Sequence, residues 1–254
     1  MSRTDAHALG SVLLVSRDAT ASRLITDALQ ENALSVEISV DVSAALDRLS
    51  RYKFEALVVD FSLGDSVTAC LQKLRSSPAN RTAITFAITS GREETARALK
   101  QGFRFVFETP LTADSINHTL RVAYGLIVRE RRRYFRFPVS VPAVLSRKAD
   151  AEVYARTLNI SEGGVALSSS VPLAPGSEGT VQFTLPDPPL RVSADAKVCW
   201  HNEDGEAGLS FKVLPFDLAS ELQGWLAQKL EEQLPPQVVE RFRQRSRNKP
   251  GKNQ

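Results

Sequence analysis

Five arginines and three aromatic rings crowd into "RERRRYFRFPVSVP", Arg129 to Pro142, immediately before an apolar alternation of strand type. A guanidinium is a planar fork of donors that grips phosphates or base edges bidentately and stacks on rings. A run of charge alone, however, is most often solvated surface, here a linker between domains. What weighs against that reading is a second cluster downstream. "NISEGG", Asn159 to Gly164, closes an apolar stretch and offers an amide, a hydroxyl and two glycines. Each cluster is weak by itself, because Arg132 and Arg136 have a spacing common on helices and Asn-Ser-Gly between strands is usually a turn. A third candidate is Asp60, a lone carboxylate ending the apolar "ALVVD". It is a loop cap or a reactive acid, the cap being favoured.

The elements that must position these groups fall into two textures. Residues 11 to about 130 alternate short apolar runs with helical spacing. The strands are "SVLLVS", "SVEISV", "ALVVD", "AITFAIT" and "FRFVF"; the helices include "ATASRLITDALQ", "SAALDRLSRY", "SVTACLQKLR" and "REETARALKQ". Asp18, Asp41 or Ser43, and Thr112 are candidate N-caps. Strands each followed by a helix predict a doubly wound parallel five-stranded α/β sheet, whose sites lie at the strand carboxyl ends, here Ser16, Asp60, Thr89 and Glu108. A longer helix, "TADSINHTLRVAYGLIVRERRR", carries Leu120, Tyr124 and Ile127 on one side and runs into the arginines.

From Phe137 six short strands separated by polar turns predict a small antiparallel six-stranded β-barrel: "FPVSVPAVLS", "EVYARTLNI", "GVALSS", "GTVQFTL", "LRVSADAKVCW" and "AGLSFKVL". A helix from Asp217 to about Gln233 follows, with Leu222, Trp225, Leu226 and Leu230 to pack on the barrel. The expected organisation is a disordered N-terminus (1–10), an α/β domain (11–128), an arginine-rich linker and clasp (129–136), a barrel domain (137–233) and a basic disordered tail (234–254).

Composition bounds the function classes. With 43% hydrophobic and 24% charged residues among 254, the chain is of ordinary globular type, and the absence of a long apolar run predicts a cytoplasmic protein without a membrane span. The net charge of +3 is uneven: the last fourteen residues carry six Arg or Lys and no acid, so the rest sums to −3. Basicity confined to the arginine run and tail argues against a nucleic-acid partner, which would call for a basic face spread through a fold. Cys70 and Cys199 are read as buried thiols, with no zinc cluster or disulfide framework. His7, His118 and His201 form no metal or catalytic spacing, and no arrangement for catalysis stands out, so an enzyme is not expected and neither metal nor cofactor is assigned.

The first region resembles the receiver domain of bacterial response regulators, through its five βα units, "LVVD" closing the third strand and "ITS" closing the fourth. The resemblance implies a vestigial phosphoacceptor position at Asp60 and a switch hydroxyl at Thr89. The chain departs from the family where its acidic pair would bind magnesium: Ser16 and Arg17 stand there, with Asp18 one place late, and Thr109 replaces the lysine before Pro110. Without clustered oxygen ligands and a cation a phosphoryl group lacks neutralisation. Arg17 is expected to sit near Asp60 as a fixed ion-pair partner, in a degenerate receiver that binds a protein partner.

The second region resembles the PilZ domain, whose signature is RxxxR followed by (D/N)xSxxG; "AKVCWHNEDGEAGLSF" resembles its later strands. The resemblance implies cyclic-di-GMP as ligand, clasped by Arg132 and Arg136, with Asn159, Ser161 and Gly164 lining the barrel side. Arg133 and Gly163 assist, and Arg131 carries a one-residue ambiguity. The residue chemistry suits such a ligand, since arginine matches guanine O6 and N7 as well as phosphate. Ser161 offers its hydroxyl to a phosphate or to neighbouring backbone, and the glycines permit close approach and unusual dihedrals. Tyr134, Phe135 and Phe137 either stack on a base or enter the core, the core being favoured. Trp200 and Trp225 are read as barrel-to-helix packing, and Arg129 and Arg131 as solvated. The expected function is a cyclic-di-GMP effector in which capture rearranges barrel and receiver-like domain. The alternatives are nucleic-acid binding through the arginine run and Arg241 to Gln254, or a ligand-free interaction module.

Overall fold

The computed structural model describes residues 8–147 and 152–233; His7, the turn residues Lys148 to Asp150 and the basic tail lie outside them. The chain divides into two compact units, the second being Arg132–Glu232.

The first unit is a parallel sheet of β1 (Gly10–Val15), β2 (Leu34–Ser39), β3 (Ala56–Asp60), β4 (Ile84–Thr89) and β5 (Phe105–Glu108), in the order β2-β1-β3-β4-β5. This is a doubly wound order. The helices are α1 (Ala19–Glu31), α2 (Val42–Arg51), α3 (Ser66–Ser76), α4 (Gly91–Gln101) and α5 (Ala113–Tyr134), with a short 3₁₀ turn, Phe61–Leu63. Alternation along the central strands feeds two cores. Val12, Leu14 and Phe86 face one side with Leu120, Tyr124 and Ile127 of α5, while Leu13, Val15 and Ala87 face the other with Leu49 and Leu74. Both faces are covered, so β3 and β4 are buried at every position.

Local chemistry sets the helix ends. Asp18 caps α1 by accepting from the Thr20 and Ala21 amides at 2.8 and 3.0 Å. Of the two candidates for α2 it is Asp41 that caps, accepting from the Ala44 amide. Thr112 and Ser115 exchange side-chain to backbone hydrogen bonds at the start of α5.

The second unit is a closed antiparallel barrel of β7 (Pro142–Ser146), β8 (Val153–Ser161), β9 (Gly164–Ser169), β10 (Glu178–Leu185), β11 (Leu190–His201) and β12 (Glu206–Val213), ordered β8-β7-β10-β11-β12-β9 and closed by β8 on β9. Leu222, Trp225, Leu226 and Leu230 of α6 (Phe216–Glu232) are buried in the same core as Val181, Phe183 and Val198. Trp225 donates its Nε1–H to the Pro186 carbonyl at 2.9 Å, so its packing role holds.

The expected single strand over 137–146 is broken into β6 (Phe137–Pro138) and β7. Prolines at 138 and 142 lack amide donors, and the buried Thr157 side chain fills the gap. Its hydroxyl donates to the Val139 carbonyl at 2.5 Å and accepts from the Val141 amide at 2.9 Å.

Candidate ligand-binding cleft

The arginine run covers the last two turns of α5 and ends at Arg136, just before β6. There Phe135 is buried, and Phe137 meets the Trp225 ring edge-on at 5.3 Å between centroids. These two rings are core, as the packing reading expects, and they hold Arg136 between them with its side chain exposed. Pairing of Phe137 with Ile160 and Pro138 with Asn159 seats Arg136 at the far end of β8, alongside Ser161.

Two β-bulges then decide what faces outward. In β8 the inward residues are Val153 and Thr157, and strict alternation would send Asn159 and Ser161 inward as well. Leu158 is instead an extra residue, because Thr157 opposes Leu167 while Asn159 opposes Ala166. Ile160 is buried and the two polar residues face out. In β11 the inward set is Val192, Ala194, Ala196 and Val198, and Trp200 would be next. Here Cys199 is the extra residue, since Val198 opposes Leu209 and Trp200 opposes Gly208. Trp200 is thereby turned outward and is 46% exposed. The bulge corrects one reading, since Trp200 is not barrel-to-helix packing; Cys199 falls on the outward side of the alternation and is exposed rather than buried.

The registers line these residues up. Asn159, Ala166, Gly208 and Trp200 are successive partners across β8, β9, β12 and β11, and Ser161, Gly164 and Ser210 form the adjoining row. A floor of small residues therefore runs between polar groups and an indole. A Cβ on Gly208 would collide with Trp200 Nε1, and one on Gly164 with the Leu209 carbonyl oxygen. Gly163 and Gly164 adopt no positive φ, so close approach at Gly164, and not an unusual dihedral, is what needs glycine.

The resulting cleft has a volume of about 640 Å³ and contains Arg133, Tyr134, Arg136, Asn159, Ser161, Gly163, Gly164, Cys199, Trp200 and Ser210 among its lining residues. Its size is that of a site for a small ligand. Among the described residues the lining holds two guanidinium groups and no carboxylate, which favours an anion. Ser161 donates to the Gly164 carbonyl at 3.2 Å, closing the β8–β9 turn. Arg132 is not in the lining; its carbonyl accepts from the Phe135 amide at 3.2 Å. Trp200 and Tyr134 complete the group, and the "CW" of an alternating strand carries no mark of the bulge that exposes it.

At the strand ends of the first unit, Ser16, Asp60 and Thr89 come together buried, while Glu108 is exposed. Ser16 donates its hydroxyl to Asp60 Oδ2 at 2.7 Å, and the Ser62 amide donates to Oδ1 at 2.9 Å. Asp18 is turned to helix capping, with its own amide on Ser16 Oγ at 3.1 Å. Arg17 is exposed, and Ser16 occupies the place expected for it beside Asp60. The Thr89 hydroxyl is shared with Thr95 at 2.9 Å. Among the described residues no cluster of His, Cys, Asp or Glu is arranged to hold a metal ion.

Arg131 is not merely solvated. Its Nη1 lies 3.8 Å from Glu55 Oε1, and next to it Glu130, 3% exposed, pairs with Lys53 at 2.7 Å and accepts from the Thr82 hydroxyl. Burial pushes the Glu55 carboxyl above its usual range, against the opposing pull of the Ser11 amide, Arg131 and Lys53.

The PilZ domain family matches residues 130–228, and no curated protein matches the chain in sequence. The N-terminal region matches response-regulator receiver domains structurally. The receiver domain of a sensor histidine kinase from Pseudomonas aeruginosa PAO1 is 18% identical, with 46% of this chain and 98% of that one covered and a TM-score of 0.41. The chemotaxis response regulator CheY4 of Vibrio cholerae is 16% identical over 46% and 98%, with a TM-score of 0.40. The Inhibitor of motility (MotI/DgrA) of Bacillus subtilis is 16% identical over 39% of this chain and 50% of that one, with a TM-score of 0.34.

Proposed function

We propose that this PilZ-domain protein is a cytoplasmic cyclic-di-GMP effector that captures the dinucleotide in the cleft on the outer face of its barrel. The observation that carries the reading is the convergence of Arg133, Arg136, Asn159, Ser161, Gly164 and Trp200 on one outward face, achieved by two bulges. Arg136 takes a guanine O6/N7 edge or a phosphate, the Asn159 amide meets a base edge, and the small floor admits the sugar-phosphate ring against Trp200. Arg132, on the last turn of α5 outside the lining, joins the clasp when capture reorders that turn and changes the arrangement of barrel and receiver-like domain. A titration calorimeter tests the site: Arg136→Ala weakens binding at least about tenfold, in line with loss of a charge-assisted bidentate contact. Undisturbed affinity in both Arg132→Ala and Arg136→Ala would remove the assignment.

The receiver-like unit is in this reading an interaction module for a protein partner, neither a phosphorylation switch nor an enzyme. Both Asp60 oxygens already carry donors, and Asp18 is used as a cap, which supports a carboxylate with a structural role. Incubation with acetyl phosphate and magnesium should leave the intact mass unchanged; a stable adduct at Asp60 would reverse this part of the reading.

A further inference from the structure

Asn159 differs from every other asparagine among the described residues. Asn80 is pinned by three bonds, accepting from the Phe54 amide and donating to the Leu49 and Tyr52 carbonyls. Asn202 bonds to both the amide and the carboxylate of Glu206. Asn32 donates to the Ala28 carbonyl and to Asn117 Oδ1, which accounts for both. The Asn159 side chain makes no hydrogen bond within the protein among the described residues, although it is half-buried in the cleft lining. Among the described residues nothing selects which way its amide faces.

Chemistry makes that freedom consequential. An amide presents one donor beside one acceptor, whereas a carboxylate presents acceptors alone. In one orientation the amide matches guanine, its N–H on O6 and its oxygen on N1–H. Rotated by half a turn it matches adenine equally, its N–H on N1 and its oxygen on the N6 amino group. A carboxylate at the same place would pair with guanine N1–H and N2–H and would face the adenine N1 lone pair without a donor. Arg136 has no such tolerance. Its guanidinium donates bidentately to guanine O6 and N7, and adenine offers an amino donor where guanine has O6.

Resting on the cyclic-dinucleotide reading of this cleft, we infer that the site discriminates guanine strictly at the base facing Arg136 and accepts guanine or adenine at the base facing Asn159, so that a mixed cyclic GMP-AMP dinucleotide is a ligand alongside cyclic-di-GMP. The purine tolerance belongs to Asn159; a small floor of Ala166, Gly164 and Gly208 presents no further base-specific side chain.

The test is calorimetric titration of the full chain and of Asn159→Asp with cyclic-di-GMP, 3′,3′-cyclic GMP-AMP and cyclic-di-AMP. The wild type should bind the first two within about threefold of each other and cyclic-di-AMP at least about tenfold more weakly, and Asn159→Asp should favour cyclic-di-GMP over the mixed ligand by about tenfold or more, the usual value of a bidentate base contact. The ratio between ligands is read within each protein, so a general effect of the added charge cancels. A wild type that prefers cyclic-di-GMP over the mixed ligand by tenfold or more, or an Asn159→Asp variant with an unchanged ratio, would overturn the inference and leave the cyclic-di-GMP reading intact. Failure of all three ligands at millimolar concentration would overturn both.

Discussion

Adding one methyl group at Gly208 is expected to weaken ligand binding while leaving the barrel folded. The residue sits in β12 without a positive φ, so alanine meets no backbone objection. Its Cβ would collide with Nε1, Cε2 and Cδ1 of Trp200, and the indole must swing off the cleft floor. Trp200 is 46% exposed, so about half of the indole surface is at stake, and the cost in stability is about 1–3 kcal/mol. What disappears is a stacking platform, worth about 1–3 kcal/mol per base, which corresponds to a loss of affinity of about 5- to 150-fold. Titration calorimetry reads the loss, and fluorescence identifies its origin. Trp225 is buried with its Nε1–H on Pro186, so a ligand-dependent emission change comes from Trp200. Gly208→Ala should shrink that change, and the Gly208→Ala/Trp200→Ala pair should bind within about 0.5 kcal/mol of Trp200→Ala alone. Wild-type affinity with a full emission response in Gly208→Ala would refute the platform.

Three further outcomes follow from buried chemistry. Thr157→Val strands the Val139 carbonyl and Val141 amide in the break between β6 and β7 and should cost the barrel about 1–3 kcal/mol, read as a lower urea midpoint at constant slope. Glu55 has a native carboxyl pKa raised above its unfolded value of 4.5, so the native state binds the extra proton first, and its share of stability falls as pH rises through the raised value. Urea unfolding on either side of that window should therefore show a gain on acidification in the wild type that is missing in Glu55→Gln. Finally, N-ethylmaleimide should label exposed Cys199 and spare Cys70, whose thiol burial pushes up to about 11. Bound cyclic-di-GMP should slow labelling of Cys199, seen as a mass shift that appears later.

Much of this organisation is legible in the chain itself, because period and caps are local. Apolar runs place all five parallel strands, and Asp18 marks the start of α1 as a side chain that satisfies free amides. Arg136 and "NISEGG" meet on one outward face, each from a short local stretch, whereas Arg132 of the same spacing stands outside the lining. Trp200 is misread for the opposite reason. Strict alternation sends the indole inward, and the extra residue that reverses it shows only in the register between β11 and β12. The interrupted strand after Phe137 depends on a hydroxyl at Thr157, far along the chain. Arg131 reads as one charge in a solvated run, yet its neighbours are Glu55 and, through Glu130, Lys53 and Thr82, gathered only when α5 packs on the sheet. Asp60 shows the same limit: Arg17 is nearest in sequence to a plausible partner, but the strand direction points Ser16 at the carboxylate instead.

The most direct test of the account is calorimetric titration of cyclic-di-GMP into the wild type and Arg136→Ala. Saturable binding to the wild type, weakened at least about tenfold by the loss of that one guanidinium, is the predicted result. An absence of binding at millimolar ligand, or equal affinity in the two proteins, would contradict it.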